Sequence, residues 1–507
     1  MEAAKALISR TEQRRVCVSA ALNSPDRDEL GQFFTPSRAA ALIAAMPRLP
    51  ASGSLRVLDP GAGVGSLTTA LIARVLTEAP GLSIEVVAVE ISPAITPHLK
   101  ETLGDCREVA ASVGVEVTTT AISGDLITES TGFKRQLGPL ASPFDLVIMN
   151  PPYRKLGSGS MERRALKADG VDCPNLYCAF LAIGTLSLKP EGQLVAITPR
   201  SFANGPYFAA FRRFFLARLA LDRVHVFESR STVFADSDVL QENIVFSATN
   251  SAQPGDVTLS VSRGHTDEAS SRSAPYADVV KPDDPDQFIH IPTEHSDRHI
   301  ADFFGRLPCR LPDLQLQVST GKVVDFRARK YLHGQPSGDS VPLIYPTNLR
   351  DGRVQWPLPV RKAQALTDCH ETAKLMLPAE RYVLVKRFSS KEERRRVVAV
   401  ICEAAELHTP RIGFENHLNV FHYKERGLDE LLARGLCLWL NSSVVDKFFR
   451  TFSGHTQVNA TDLRSMRYPS REHLIGLGEA LGSGSWPDQE KTDSLVDLHI
   501  LSQGDTL

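Results

Sequence analysis

The sequence has few cysteines, and none of them lie at the spacing that metal sites use. Its eight cysteines in 507 residues are scattered, and no two form a Cys-x-x-Cys pair. Structural zinc sites commonly use Cys-x-x-Cys pairs, and scattered cysteines do not indicate a disulfide framework. We therefore predict no metal site and no disulfide framework, and we expect a reducing, cytoplasmic compartment.

Long apolar runs are also missing. No uninterrupted apolar stretch reaches the ~18 residues of a membrane-spanning helix. The N-terminal segment MEAAKALISRTEQRR mixes acids with bases and has no continuous apolar core, which is unlike a secretory signal. We predict a protein without a membrane partner.

Neither sign of charge dominates. The 57 Lys and Arg nearly balance the 59 Asp and Glu, for a formal net charge of -2. A nucleic-acid partner would therefore be met by a local cluster of cations, because phosphate affinity comes from clustered Lys and Arg. Residues 381–396 hold seven bases and two acids, which is a local charge of +5. Residues 200–215 and 323–332 are two further candidates, and each cluster could instead be an ordinary solvated turn.

Length and patterning predict two domains, since single domains usually have about 100–200 residues. Residues 30–250 alternate short apolar runs with helix-length amphipathic segments, which is typical of βα units around a mostly parallel sheet. We predict seven strands, within residues 55–59, 84–90, 115–122, 144–150, 192–198, 221–227 and 243–249.

The composition changes after residue 250. Residues 251–285 are rich in Ser, Asp, Pro and Gly, which predicts a linker after a first domain of residues 1–250. Residues 286–485 mix strand-like and helix-like pieces without a repeat and are predicted to form a second, mixed α+β domain. Residues 486–507 are predicted to be a poorly ordered tail.

A glycine-rich turn lies between the first predicted strand and the helix that follows it. In VLDPGAGVGSL (57–67), Gly61, Gly63 and Gly65 would let the backbone turn tightly and approach a ligand. The turn lacks the Lys-Ser/Thr of a P-loop, so a triphosphate is not expected. By itself, such a turn also occurs in loops that bind nothing.

Acidic residues lie beside this turn and at the ends of the next two strands. Glu90 ends VVAVE at the spacing that lets a carboxylate accept hydrogen bonds from ribose hydroxyls. Asp125 in SGDL is placed to meet an adenine edge. Asp59 would repel a pyrophosphate and attract the ammonium of a methionine moiety. Any one of these acids could belong to a solvated turn, but three in series are harder to dismiss.

Together, DPGAGVGSL, AVE and GDL resemble the S-adenosylmethionine site of class I methyltransferases. The resemblance implies an α/β fold with a Rossmann-like, mostly parallel seven-stranded sheet, and S-adenosyl-L-methionine as the cofactor. The cofactor contacts that it implies are Asp59, Pro60, Gly61, Gly63, Gly65, Glu90, Ile91, Asp125 and Leu126.

The segment FDLVIMNPPYRKL (144–156) ends a buried strand in Asn150, Pro151, Pro152 and Tyr153. An adenine amine is a poor nucleophile because its lone pair is shared with the ring, so acceptors on the amine hydrogens favour attack. Asn150 and Pro151 offer carbonyl oxygens, and two prolines hold them in place. Tyr153 offers a ring on which a base can stack once it has left the duplex. Without the cofactor motifs, the segment would indicate only a proline-stiffened turn.

An upstream segment indicates the subfamily. GQFFTPSRAAALI (31–43) resembles the N-terminal motif of amino-type DNA methyltransferases of the γ arrangement. In that family the residues matching Thr35 and Pro36 close over the methionine end of the cofactor. The same two residues could also cap and begin a helix.

Two weaker resemblances lie further along the chain. Phe234, in RSTVFADSDV, resembles an aromatic that stacks on the other face of a flipped adenine, and Phe227 is a competitor for that role. SGHTQVNATDLRSMRYP (453–469) looks like a segment of type II adenine methyltransferases related to Eco57I and PaeR7I. Both phenylalanines could be core residues, and the later segment could be a helix cap and turn.

The resemblance implies a site-specific adenine-N6 methyltransferase of a type II restriction–modification system that acts on double-stranded DNA. It also implies a C-terminal target-recognition domain and a separately encoded cognate endonuclease. Cytosine-N4 and RNA-base methylation stay open, as does a non-catalytic DNA-binding subunit. Protein-glutamine methyltransferases share the Asn-Pro-Pro-Tyr segment, but they are much shorter and lack a large C-terminal domain. A cytosine-C5 enzyme would need a nucleophilic cysteine after a proline, and Pro308-Cys309 lies outside the motifs.

Overall fold

A computed structural model of the chain describes residues 2–21, 34–130, 138–157, 159–227, 243–251, 253–262, 269–282, 284–291, 295–350, 352–389, 393–452, 457–482 and 486–502. The chain divides into two units, residues 1–293 and 294–507. Among the described residues, no helix combines the length and the apolar character needed to cross a membrane.

The first unit is built on one nine-stranded sheet with the order β3-β2-β1-β4-β5-β7-β6-β8-β9. The strands from β3 to β5 are mutually parallel, and β7 is antiparallel to both β5 and β6. All seven predicted runs form strands, and the predicted class I methyltransferase sheet is confirmed. The strands are β1 Ser52–Pro60, β2 Gly81–Glu90, β3 Val117–Ser123, β4 Phe144–Met149, β5 Leu188–Pro199, β6 Ala220–Phe227, β7 Asn243–Thr249, β8 Val257–Ser262 and β9 Ser270–Ala274.

Helices cover both faces of this sheet, which explains why its central strands are almost continuously apolar. Successive residues of β2 point to opposite faces: Val86 joins a core with α3 and α4, and Val87 joins a core with α7 and α8. The helices are α1 Glu2–Ala21, α2 Ser37–Ala44, α3 Ser66–Glu78, α4 Thr96–Ser112, α5 Leu126–Ser130, α6 Met161–Ala168, α7 Leu176–Leu186, α8 Ala209–Leu216 and α9 Tyr276–Val279, with 3-10 turns at Gly138–Leu140, Arg200–Ala203 and Pro206–Phe208.

Two strands of the sheet, β8 and β9, lie within the predicted linker of residues 251–285. Strand β8 pairs parallel with β6, and β9 pairs antiparallel with β8. Polar composition concealed a period-2 strand, VTLSVS, whose Val257 and Leu259 are buried. The serines have partners too, because Ser260 and Ser262 hydrogen-bond the two ring nitrogens of His225 at 2.8 and 3.0 Å.

The second unit is mixed α+β. It contains a six-stranded sheet, β10-β20-β17-β18-β14-β13, and a five-stranded sheet, β11-β15-β12-β19-β16. Its strands are β10 Gln317–Thr320, β11 Leu332–His333, β12 Ser340–Ile344, β13 Leu349–Arg350, β14 Arg353–Val354, β15 Ala365–Thr367, β16 Met376–Pro378, β17 Arg381–Lys386, β18 Ala399–Glu403, β19 Arg411–Phe414 and β20 Leu418–His422.

Seven α-helices of the second unit lie within the described residues, and the last of them corrects the predicted tail. Helix α16 begins at Gln489, and its Asp493 accepts hydrogen bonds from the backbone and hydroxyl of Ser443 at 2.7 and 2.6 Å. Val496 and Ile500 are buried, so this segment is ordered because one of its faces is apolar, although its composition predicted a poorly ordered tail. The helices are α10 His295–Arg306, α11 Asp325–Ala328, α12 Glu430–Leu440, α13 Ser443–Phe452, α14 Ala460–Ser465, α15 Arg471–Leu481 and α16 Gln489–Val496, with a π-helix at Asp497–Leu501 and 3-10 turns at Arg329–Tyr331, Pro346–Asn348, Ala373–Leu375 and Ala404–Leu407.

Candidate active site

A cleft of about 820 Å³, including its open mouth, lies at the carboxyl ends of the parallel strands of the first unit. Ligands of open α/β sheets bind at this edge. The structure brings together there eight residues that the sequence predicted: Gly61, Gly63, Glu90, Ile91, Asp125, Leu126, Asn150 and Pro152.

The glycine turn forms the floor of the cleft, and its backbone needs glycine. Gly61, Gly63 and Gly65 have φ values of +74°, +55° and +87°, which side-chain-bearing residues rarely adopt. A Cβ on Gly61 would lie 3.1 Å from the Phe180 ring, and one on Gly63 would lie 3.2 Å from the Phe34 ring. The turn therefore leaves backbone exposed to a ligand between two aromatic side chains.

Glu90 connects the second strand to this turn. Its carboxylate, in a residue that is only 1% exposed, accepts the backbone N–H of Gly63 at 2.9 Å and that of Ser92 at 2.8 Å. One carboxylate thus shapes the glycine turn and borders the cleft. It is placed to accept hydrogen bonds from ligand hydroxyls.

Asp125 lies on the neighbouring strand end, directly before α5. Its Oδ1 accepts the N–H of Ile127 at 3.0 Å, as a helix-capping residue does, and burial raises the pKa of its carboxyl. Gly124 donates to the backbone carbonyl of Glu90 at 3.0 Å, so the two acidic strand ends are neighbours in the cleft. Asp125 therefore caps a helix and lines the cleft at once.

Asp59 occupies a different place from the one predicted. It does not line the cleft, and neither do Pro60 and Gly65. Its carboxyl, in a residue that is 1% exposed, accepts the hydroxyl of Thr68 at 2.7 Å, and burial raises its pKa to about 7. Asp59 thus joins the strand to α3. The sequence predicted a charged Asp59 that faces a cationic ligand, whereas the structure has a buried carboxyl that bonds to Thr68.

Replacing Asp59 by Asn is expected to flatten the pH dependence of stability between about pH 4 and 7. The pKa of Asp59 is about 7 in the folded chain and about 4 in the unfolded chain, so folding takes up a proton in this window. The stabilisation is complete at low pH and is lost as the pH rises through 7. The amide in the variant stays neutral at every pH, so D59N should gain roughly 2–4 kcal/mol over the wild type at about pH 8. Urea unfolding at about pH 5 and 8 tests this, and parallel pH profiles would contradict it.

Two hydroxyls flank the side-chain amide of Asn150. Its Nδ2 donates to Oγ1 of Thr35 at 3.0 Å, and the hydroxyl of Tyr153 donates to its Oδ1 at 3.4 Å. Thr35 is not the predicted helix cap, because α2 begins at Ser37 after Pro36 without a side-chain cap. The buried Thr35 uses its hydroxyl on the Asn150 amide instead.

A carboxylate from the N-terminal helix anchors this segment. Oε2 of Glu12, on α1, accepts the N–H of Ser37 at 3.0 Å, and Arg15 holds the same carboxylate at 2.7 Å. Thr11 bonds Thr69 of α3 at 3.0 Å. Helix α1 therefore fixes the start of α2, and with it the position of Thr35.

The Tyr153 ring belongs to an aromatic row. It meets the Tyr177 ring edge-on, with the centroids 6.2 Å apart, and Tyr177 in turn lies 5.8 Å from Phe208. Burial raises the pKa of Tyr153 well above its usual value, so its hydroxyl remains a hydrogen-bond donor at neutral pH. Pro151, in the same turn as Tyr153, is buried.

The two phenylalanine candidates have different outcomes. Phe234 lies outside the described residues. Phe227 is a core residue, 3% exposed, and its ring lies 4.7 Å from that of His225. Phe227 therefore does not present a face to the cleft.

Sequence reasoning missed half of the cleft lining. Arg154 follows the Asn-Pro-Pro-Tyr turn directly, and its guanidinium lies 3.7 Å from Glu162, so its position in the chain was the available signal. Phe180 gave no signal, since α7 is apolar on every side and reads as core. The missed residues are Phe34, Val89, Gly124, Ile127, Arg154, Glu162, Leu176 and Phe180.

Comparison with known proteins identifies relatives over nearly the whole chain. Residues 117–234 match the family described as Eco57I restriction-modification methylase. The type II methyltransferase M.PstI of Providencia stuartii is 39% identical over 490 residues, which are 96% of each chain. M.BsuBI of Bacillus subtilis is 38% identical over 480 residues, which are 93% of this chain and 94% of that relative.

Solved structures share the fold. The type IIL restriction-modification enzyme MmeI, in complex with DNA, has a TM-score of 0.58 at 11% identity, and the match covers 89% of this chain and 71% of the MmeI chain. The DrdV–DNA complex has a TM-score of 0.52 at 12% identity, and the match covers 91% of this chain and 58% of the DrdV chain. At such low identities these likenesses show the fold alone.

The cleft fits the cofactor that methyltransferases of this fold use. The glycines leave backbone open to a ligand, Glu90 offers carboxylate oxygens to ribose hydroxyls, and Ile91, which is 45% exposed, offers an apolar face to a purine ring. The strand order, the residues of this cleft and the sequence identity to relatives over nearly the whole chain all indicate the same family. The chain belongs to the type II DNA methyltransferases of restriction–modification systems, and its methyl donor is S-adenosyl-L-methionine.

Proposed function

We propose that this enzyme methylates N6 of an adenine that it rotates out of a specific site in double-stranded DNA. The observation that carries the proposal is the amide of Asn150, which lies at the border of the cleft between the hydroxyls of Thr35 and Tyr153. An Asn amide turns easily about its last torsion, so partners at both ends restrict its plane. The acceptor then needs little reorganisation when a base enters.

The chemistry follows from the acceptors in this turn. Oδ1 of Asn150 and the backbone carbonyl of Pro151 accept the two amine hydrogens and draw the nitrogen lone pair out of the ring. S-adenosylmethionine supplies an electrophilic methyl group when bound. The amine loses its proton after alkylation, so no side chain has to act as a base. The Tyr153 ring compensates part of the stacking that the base loses on leaving the duplex, by about 1–3 kcal/mol.

Adenine is favoured over cytosine by the residue that opens the turn. A cytosine amine poses the same lone-pair problem, and cytosine-N4 enzymes more often begin this turn with Ser, whereas this chain has Asn150. Methylation of the site would protect it from a cognate endonuclease encoded separately. A non-catalytic DNA-binding subunit is the other candidate, and the intact glycine turn and Asn-Pro-Pro-Tyr turn disfavour it.

Sequencing that detects modified bases in DNA from cells expressing the chain tests the proposal. N6-methyladenine at one recurrent sequence is expected. N4-methylcytosine would move the assignment to the other amino base. Incubation of the protein with labelled S-adenosylmethionine and duplex DNA, RNA or protein identifies the substrate polymer, and label in RNA or protein alone would overturn the proposal.

Replacing Thr35 by Val is expected to lower kcat by about tenfold, because the lost hydrogen bond, about 1–1.5 kcal/mol, releases the Asn150 amide. Affinity for the cofactor should stay close to that of the wild type, and T35S, which restores the hydroxyl, should recover most of the rate. Single-turnover methylation and calorimetry measure the two quantities. If T35V weakened cofactor binding while kcat held, Thr35 would instead close over the methionine end of the cofactor.

A further inference from the structure

The cluster with the highest local charge, residues 381–396, is mostly used inside the second unit. Arg381 pairs with Glu403 at 2.6 Å, and Lys386 pairs with Glu393 at 2.9 Å. Arg396 is fully buried and donates to the carbonyl of Ser389 at 2.6 Å. These three cations already have protein partners, so part of the +5 local charge is used within the unit.

Two of the three arginines at residues 200–215 are likewise used within the first unit. Arg200 and Arg212 are buried. The guanidinium of Arg212 donates to the carbonyls of Phe202, Gly205 and Asp286 at 3.1, 2.7 and 3.0 Å. Its function is to join loops, not to present charge.

The third cluster is different, because all its cations are exposed and have no ion-pair partner in the described part of the chain. Arg327, Arg329 and Lys330, on α11 and the turn after it, are exposed, and none of them joins an ion pair within the described residues. Asp325, an acid of the same turn, accepts the hydroxyl of Tyr345 at 2.9 Å. Glu371 acts on Lys330 only at a distance.

A fourth cation and an aromatic ring complete the patch. Lys362, also exposed, lies with its Nζ 4.7 Å from the centroid of the Tyr345 ring whose hydroxyl holds Asp325. Phe326 is 76% exposed, with the guanidinium carbon of Arg327 5.4 Å from its ring centroid. We name these five residues, Phe326, Arg327, Arg329, Lys330 and Lys362, the cationic turn.

We propose that the cationic turn is a contact surface for duplex DNA, in which its cations bind phosphates and Phe326 packs against a sugar or base. The inference rests on the proposed function and locates part of its DNA-binding surface. Cations without acid partners bind phosphate without first breaking an ion pair, and each phosphate contact releases counterions. Arginine's planar fork matches a phosphate. An apolar ring among these cations fits a polymer that offers phosphates outside and bases within.

The test is the salt dependence of binding to a linear duplex of mixed sequence, measured by fluorescence anisotropy on the full chain. The triple variant R327A/R329A/K330A is expected to lower the slope of log affinity against log salt by about 2–3 and to weaken binding at least about tenfold near 0.1 M salt. The rate at saturating DNA should stay close to that of the wild type. The matched control, R411A/R426A/R434A, removes three cations that are already paired with acids and should leave the slope nearly unchanged.

A second variant tests the ring. F326A is expected to weaken binding by about fivefold or more with an unchanged salt slope, since stacking is worth about 1–3 kcal/mol and carries no charge. A wild-type slope in the triple variant, or equal slope losses in the triple variant and its control, would overturn the proposal for the cationic turn. The proposed function would be unaffected as long as the wild-type chain methylates DNA. A wild-type chain that bound and methylated no DNA would overturn the proposed function itself.

Discussion

Replacing Asn150 by Ala should lower the rate of methyl transfer by at least about 100-fold, the usual cost of removing one preorganised hydrogen-bonding group from a reacting centre. The Asn150 amide, which donates to Thr35 at 3.0 Å, is the proposed side-chain acceptor in the turn that follows β4. Without it, the amine lone pair stays delocalised into the ring. Affinity for S-adenosylmethionine should be nearly unchanged, because the Glu90 carboxylate and the glycine turn remain. Single-turnover transfer of labelled methyl groups and calorimetry measure the two quantities.

A conservative variant separates the effect of losing the acceptor from the effect of losing side-chain volume. N150D keeps an oxygen acceptor but loses the N–H that donates to Thr35, so its rate should fall between those of N150A and the wild type. Circular dichroism checks that both variants fold. Near-full activity in N150A would remove Asn150 from the mechanism.

Replacing Glu90 by Ala should weaken cofactor affinity by about 10- to 100-fold, since hydrogen bonds to a charged group contribute about 1.5–3 kcal/mol. The loss has two sources. The carboxylate is the proposed acceptor for ribose hydroxyls, and it also holds the N–H groups of Gly63 and Ser92 at 2.9 and 2.8 Å. Calorimetric titration with S-adenosylmethionine measures the change.

The same strand supplies the control. Glu85, also on β2, pairs with Arg56 at 2.9 Å and does not line the cleft, so E85A should bind the cofactor as the wild type does. E90Q keeps one oxygen acceptor but places an NH₂ group toward a backbone N–H, so it should also bind weakly. Unchanged affinity in E90A would count against the ribose assignment.

Local chemistry made much of the first unit predictable. The seven strand runs, the glycine turn with its positive φ values and the Asn-Pro-Pro-Tyr turn all depend on residues close together in the chain. The errors have the opposite origin. Strand β8 has a serine-rich sequence, and its order depends on pairing with β6, a partner from an earlier part of the chain. Helix α16 depends likewise on Ser443.

The residues that line the cleft fall into the same two groups, those that local sequence predicts and those that only packing brings there. Glu90 and Asp125 were predictable because a strand end places its last residues at the edge of a parallel sheet. Phe34 and Phe180 were not, because only packing across the sheet brings their rings against Gly63 and Gly61. Asp59 was assigned a ligand from its charge, whereas burial beside Thr68 raises its pKa to about 7.

By itself, the sequence determined the fold class and eight of the residues that line the cleft, Asn150 among them, because periodicity, turn residues and strand ends are properties of short segments. Only the tertiary structure decided that Thr35 holds Asn150, and that Arg327, Arg329 and Lys330 are all exposed with no acid partner among the described residues. A cation's availability depends on the acids and carbonyls around it, and those arrive from distant parts of the chain when it folds.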